Sequence, residues 1–509
     1  METMNGGYAK TGILDLFRNA HLYRRLAYAD ALSESAVLTL LLVFAMDAFK
    51  KMDDEDEAET IDTPEMYDRG KFSESELVRL NDYVNECEAD GVSFDLFDPE
   101  HPFMQAWGVD TDLTPQPTPK VGYNMPSGES VLFETRVLAK DATLSPEEYM
   151  TNLCVMSRHS LRGGESWNVN ICGETPAFFF AEGKNLFETL TLNMLREAPE
   201  INGGGKVYGT PFYRKMHSFT PKKPLPRRSD CHILEMLTYP VRRFRAILNE
   251  DCLVASVLMG HGPATKWPDG TFVADGYFDP YKAYSITPKK DGAPVISALT
   301  GNNGVFWQNV ATLLTGGEKE SRKVKQAESL KNAHNILKGD GIKSVNVVLY
   351  AAESQQTHYQ IAERFSFTLP GSTFDSDDIA TQQMRDAVYS MVQYVDDKSK
   401  LLSSAVATVA TLAVRKEEKE CKDAFSKVMK AKAPIILKQR VQTVFFPFIE
   451  KLADTGTVSM EEWEAAVDKL ANRVYKEITD PLIATMSAEK RIKAAESRFI
   501  LKRRKTNKK

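Results

Sequence analysis

The side chains in this 509-residue sequence with the clearest capacity to act on another molecule are amides, guanidiniums and glycines. Gln355, Gln356 and Thr357 follow residues 344–350, whose alternation around Val345, Val347 and Leu349 predicts a strand, and they precede a second apolar segment. Such an arrangement holds amides out from a rigid base. A glutamine amide both donates and accepts, so it suits probing base edges or wedging between bases; two surface glutamines on a plain turn fit the same letters. Arg158, His159 and Arg162 stand ahead of Gly163-Gly164. Glycine lets backbone approach a phosphate or base edge that any Cβ obstructs, and guanidinium forks grip anions, although a turn of this kind needs no ligand. Residues 111–128 are rich in Pro, Thr and Gly and predict a long exposed loop, in which Asn124 is able to hydrogen-bond a nucleotide or simply to make the turn.

The motifs of catalysis are missing. The sequence has no GxxxxGK[ST] phosphate loop, no GxSxG, no HExxH and no kinase set. Its 8 histidines lie far apart, none beside carboxylates at metal-ligand spacing, and its 6 cysteines include no Cys-x-x-Cys pair, so neither a metal nor another cofactor is expected. His101 lacks a partner spaced for a dyad and reads as a core histidine. The expectation is a non-catalytic binding protein. A hydrolase with an unrecognised active site around His101 or His159, and a structural scaffold protein, are the alternatives.

The formal net charge of −6 hides segregation. Residues 53–100 hold 18 Asp/Glu against 3 Lys/Arg, and residues 206–245 hold 10 Lys/Arg against 2 Asp/Glu with prolines interleaved. An acidic chain can still present a basic face to phosphates, or both blocks can be solvated surface. The longest apolar run, residues 36–46, is too short to cross a bilayer, and the amino terminus lacks a secretory layout. A cytoplasmic protein with no membrane partner is expected, and scattered cysteines suit a reducing compartment.

Helical spacing predicts helices over 13–25 and 33–49, the latter capped by Ser33 or Ser35, and over 73–88, where Ser73 and Glu76 have capping-box spacing. Residues 94–108, aromatic and proline-bearing, predict a stapled buried loop; 53–63 predict an acidic linker. Short strands over 253–258, 271–274 and 283–287 give a β-rich middle, and a helix opens at Trp307-Gln308. Beyond residue 375 the pattern is helical in four blocks, 377–395, 398–429, 433–453 and 459 to about 499, separated by Asp396-Asp397, Pro434 and 454–456. The expected class is α+β: a large mixed domain over 1–370, a C-terminal four-helix bundle over 375–502 and a basic tail over 503–509.

In this order the pieces resemble the CasA family, the large subunit of the type I-E CRISPR surveillance complex Cascade. The resemblance is carried by AVLTLLLVFAMDAF, FDLFDPEHPFMQ, SLRGG ahead of a helix ending LTLNMLRE, TFVADGYFDP, the Trp307-Gln308 helix and the terminal bundle. It implies a non-catalytic subunit whose partners are guide RNA, double-stranded target DNA, other Cascade subunits and a helicase-nuclease. It implies a guide-end loop at Tyr123 and Asn124, and reading of the protospacer-adjacent motif (PAM) from the minor groove by a glycine loop, a lysine and a glutamine that wedges the duplex open to start an R-loop. Carried across, the wedge is Gln356, flanked by Gln355 and Thr357, and the lysine is Lys266. Where the family often has glycines this chain has Cys154-Val155-Met156-Ser157-Arg158, so Ser157 or Arg158 is expected to sense groove width or phosphate instead.

Overall fold

Helix Ala31–Phe49 is the axis of the first part of the molecule, apolar on every side and buried along almost its whole length. By length and composition it is able to cross a membrane, yet protein covers it. Its N-cap is Asp30, whose carboxylate accepts from the Ser33 N–H at 2.8 Å. The expected caps Ser33 and Ser35 lie inside the helix, where Ser35 Oγ donates back to the Leu32 carbonyl. The helix before it is shorter than its spacing predicts, Ile13–Asn19, because the chain tightens to a 3-10 turn over Ala20–Leu22 and then pairs Tyr23–Arg25 with Glu2–Thr3. Phe17 nevertheless stacks on Phe44 at 5.6 Å. Helix Glu74–Ala89 begins with the expected capping box of Ser73 and Glu76.

The computed structural model describes residues 1–53, 58–107, 113–122, 142–160, 171, 177–216, 220–223, 228–289, 294–300, 304–316, 323–355, 358–374, 379–414 and 419–501. They divide into one unit of Met1–Tyr284 with Gln326–Ser366 and another of Ser285–Lys325 with Phe367–Lys509. The expected acidic linker starts and ends as a strand pair, Lys51–Asp53 with Ala58–Thr60. The aromatic loop is stapled as expected: Phe94 packs on Phe44 and Phe103 on Tyr213. Gln105, buried there, ties strand Arg242–Leu248 to helix Pro146–His159, its carbonyl accepting from the Ala246 N–H and the Tyr149 hydroxyl, each at 2.9 Å.

Two three-stranded sheets complete the first unit's framework. One has the order Thr114–Pro117, Val254–His261, Arg242–Leu248. The other places Ser344–Gln355 between His358–Pro370 and Ala177–Ala181. All of Ala177–Ala181 is buried, so each peptide group on its outer edge needs a partner. Tyr281 O accepts from the Phe179 N–H at 2.7 Å, and Ser329 Oγ donates to Phe179 O at 3.2 Å. One amide, Asn193 on helix Leu186–Asn193, serves both groups of Ala181, accepting from its N–H at 2.9 Å and donating to its carbonyl at 2.7 Å.

The second unit is mainly helical, and its divisions differ from the four expected blocks. Helix Ile379–Ala413 runs through Asp396-Asp397 because Asp396 pairs with Lys438 at 2.7 Å and Asp397 with Lys400 one turn on. Helix Lys419–Thr455 runs through Pro434. A proline removes the N–H that would bond the carbonyl four residues back; here Ser403 Oγ, from the preceding helix, donates to that Lys430 carbonyl at 2.8 Å. Met460–Ala484 and the short Ala488–Glu496 follow, so among the described residues the helical C-terminal region stands as expected with its helix boundaries shifted. Helix Trp307–Thr315 belongs with them: Trp307 is fully buried, donates through Nε1 to Lys438 O at 2.9 Å and lies 4.9 Å from the Phe445 ring. The unit therefore takes in residues well ahead of 375.

Candidate nucleic-acid interface

The strand pair Ser344–Gln355 and His358–Pro370 leads up to the glutamines. Its first strand pairs with Ala177–Ala181 from Val347 opposite Ala181 to Ala351 opposite Ala177 and runs on to Gln355. Gln356 and Thr357, next in sequence, lie outside the described residues, as do Tyr123 and Asn124. The middle of the strand pair is pinned by charge. Arg364 pairs with Glu182 and, at 3.6 Å, with Glu34 of the long helix, and its guanidinium lies 5.9 Å from the centre of the Tyr350 ring. Burial raises the Glu34 carboxyl above its ordinary value in spite of Arg364 and Arg25 beside it. Burial alone would lower the Arg364 guanidinium, but Glu182, Tyr350 and Glu34 outweigh it.

Arg158 is not where a phosphate reader has to be. It lies in the last turn of helix Pro146–His159, 2% exposed, with Nη1 2.7 Å from Asp279 and its guanidinium 4.3 Å over the Phe178 ring. The expectation that it senses DNA is corrected: its charge is spent inside the protein. Ser157, in the same turn, is partly buried and faces a small cavity beside Met104 and Phe212. The basic block over 206–245 divides: Arg214 pairs with Asp47, Lys215 with Glu235 and buried Arg243 donates to His261 O, while Lys206, Lys222, Lys223 and Arg228 are exposed.

Both histidines of the hydrolase alternative contact other side chains of the first unit. His101 lies against Trp107, ring centroids 4.6 Å apart. His159 Nε2 is 3.0 Å from Ser35 Oγ, but both residues are buried. That hydroxyl also lies 3.1 Å from Leu32 O, so its one hydrogen serves either the carbonyl or Nε2. Burial, reinforced by the charges of Arg158 and Lys282, holds His159 well below the ordinary imidazole value, so it is neutral in the fold. The unfolded chain takes up this proton below about pH 6.5, so stability is expected to fall as pH drops through that point. His159→Gln should flatten the dependence between about pH 7 and 5, read as urea midpoints; an unaltered slope would contradict it.

Lys266, in contrast, is exposed on a built turn. Residues expected as a strand over 271–274 close a hairpin instead: Thr271 O accepts from the Trp267 N–H at 2.8 Å, Thr265 O accepts from the Val273 N–H at 2.9 Å, and Gly270 takes φ +84°, a conformation that suits glycine. Trp267 and Val273 sink into the same core as Tyr350 and Tyr359, leaving Lys266 across from Phe272, its ammonium 4.7 Å from that ring.

The family described as CRISPR-associated protein Cse1 matches residues 2–474, nearly the whole chain. The chain belongs to the Cse1 family. It is 24% identical over 334 residues to the CasA/Cse1 protein of Thermus thermophilus, an alignment spanning 64% of this chain and 61% of that relative's length. The fold is that of Cse1: the crystal structure of Thermus thermophilus CasA aligns with TM-score 0.68 at 19% identity, covering 97% of this chain and 94% of the other. Cse1 from Acidimicrobium ferrooxidans aligns with TM-score 0.68 at 18% identity, covering 98% and 95%. A chain of a CRISPR RNA-guided surveillance complex aligns with TM-score 0.60 at 15% identity, covering 97% and 95%.

Sequence reasoning missed two features of this Cse1 family member. Lys222 and Lys223, exposed, are tied by backbone to the segment leading into Lys266: Gly262 O accepts from the Lys222 N–H and Lys223 O from the Ala264 N–H, each at 3.0 Å. Their proline-flanked doublet is a legible signal of exposure, but only folding sets it beside residues 262–264. The second is Tyr359, whose hydroxyl donates to the main-chain carbonyl of His159 at 2.9 Å. No sequence pattern announces a partner of that kind.

Proposed function

We propose that this chain is the non-catalytic large subunit of a type I-E CRISPR surveillance complex, acting in the cytoplasm with guide RNA and the other Cascade subunits. In this reading it recognises the PAM on double-stranded DNA, wedges the duplex open to start the R-loop and helps to recruit a helicase-nuclease. The observation that supports it most directly is the long strand pair pinned at Arg364, whose first strand ends at Gln355. Gln356 is the wedge with Gln355 and Thr357 flanking it, Lys266 reaches the minor groove from its turn, and Tyr123 and Asn124 hold the end of the guide. Minor-groove contacts separate mainly A·T from G·C, so motif recognition is permissive and base pairing with the guide supplies the sequence. The second unit docks on neighbouring subunits and on the displaced strand.

Opening the first base pairs costs a few kcal/mol of unstacking, which an inserted side chain offsets. In the assembled complex Gln356→Ala is therefore expected to leave duplex association intact and to slow strand opening about tenfold or more, followed by 2-aminopurine fluorescence beside the motif. Unchanged R-loop formation at a matched target would remove the wedge. Association itself should weaken steeply with salt.

A further inference from the structure

Three exposed lysines of the first unit, Lys222, Lys223 and Lys266, are held on one short strip of backbone. Gly262 O accepts from the Lys222 N–H, Lys223 O accepts from the Ala264 N–H, and two residues beyond Ala264 the chain reaches Lys266. The strip is anchored from beneath. Gly262 packs so closely on the Pro240 carbonyl that a Cβ there would come within 1.5 Å of it, and Ala264 O accepts from the hydroxyl of buried Tyr239. Lys222 takes φ +60°, a conformation that costs a lysine energy, and its N–H bond to Gly262 helps to hold it there. The charges on this strip differ from those around it. Among the described residues, Arg214, Lys215 and Arg228 pair with Asp47, Glu235 and Asp269, whereas no ion pair involves Lys222, Lys223 or Lys266. Like charges fixed on one rigid strip repel one another, and a polyanion laid across them relieves that repulsion.

We infer that Lys222 and Lys223 contact the phosphate backbone of the same duplex that Lys266 meets, and so seat that lysine against its groove. This rests on the proposal that Lys266 reaches duplex DNA. Phosphate contacts fix register and orientation without reading bases, so the two lysines add affinity on any sequence. Each one that displaces a condensed counterion steepens the fall of log affinity with log salt by about 0.9.

The test uses the complex assembled with guide RNA and partner subunits, and reads duplex affinity between about 50 and 200 mM salt. Two probes are used: a duplex matched to the guide, its flanking motif selected from a randomised library, and a duplex with the same motif and a scrambled match. Lys222→Asn with Lys223→Gln, asparagine being suited to the backbone at 222, is expected to keep its thermal midpoint and to flatten the salt slope by about 1.8 on both probes. Lys223→Gln alone, which leaves the strained position untouched, should flatten it by about 0.9. Arginine at both positions should keep the original slope, as should Lys71→Gln with Lys184→Gln, an equal loss of charge from exposed sites elsewhere in the first unit. Slopes unchanged in the 222 and 223 variants, or equal flattening by the Lys71 and Lys184 pair, overturn the inference. Failure of the 222 and 223 variants to load guide RNA or to assemble would give the two lysines to those partners and overturn it as well. A slope near zero for the unaltered complex would instead overturn the proposed function.

Discussion

Arg158→Met should destabilise the first unit by about 3–5 kcal/mol, the range for breaking a buried ion pair from one side. Asp279 is 2% exposed, and after the substitution its carboxylate keeps Lys282, also buried, as a cationic neighbour. Burial alone would push the Asp279 carboxyl up; the Arg158 guanidinium outweighs it and holds the group below the usual carboxylate range. The pair's contribution is therefore present above about pH 4 and is lost as pH falls through the folded value. Replacing both partners, Arg158→Met with Asp279→Leu, should recover part of the loss, because the carboxylate is no longer stranded, while buried Lys282 loses it as a neighbour and limits the recovery. Urea unfolding of the single and double variants beside the unaltered chain decides this. A loss under about 1 kcal/mol for Arg158→Met, accompanied by a shallower salt dependence of DNA affinity, would return Arg158 to the role of phosphate reader.

Asn193→Leu is expected to cost a similar amount, about 2–6 kcal/mol, for a different reason. The leucine fills the space but leaves the Ala181 N–H and carbonyl buried without partners, each worth about 1–3 kcal/mol. Asn193→Asp should be less damaging at low pH than at neutral pH, since only the protonated carboxyl can both accept from the Ala181 N–H and donate to its carbonyl. Thermal unfolding at the two pH values reads the difference, and equal midpoints would mean that the edge finds other partners.

Features set by neighbours in sequence were legible. The apolar helix, the capping box at Ser73 and Glu76, the strand alternating around Val345, Val347 and Leu349 and the α+β class all follow from spacing. What escaped was set by distant partners. Pro434 reads as a break because nothing near it shows that Ser403 supplies the missing donor. Arg158 reads as a surface cation because Asp279 lies far along the chain, and a basic residue ahead of Gly-Gly has the same letters whether paired or free. Lys266 stands out only through family likeness, while the hairpin that displays it follows from Asp269-Gly270, a turn pair legible in the sequence.

The second unit's core depends on the order of synthesis. Trp307 is made 131 residues before the Lys438 carbonyl that its indole will bond, and 326–366, which belong to the other unit, are made in between. Until residue 438 is made, that indole lacks its native acceptor. A gene fragment ending near residue 370 would keep Trp307 and lack Lys438 and Phe445, whereas a fragment starting there would lose the tryptophan. Any division of the protein into working halves has to carry 285–325 along with the helices that follow 367.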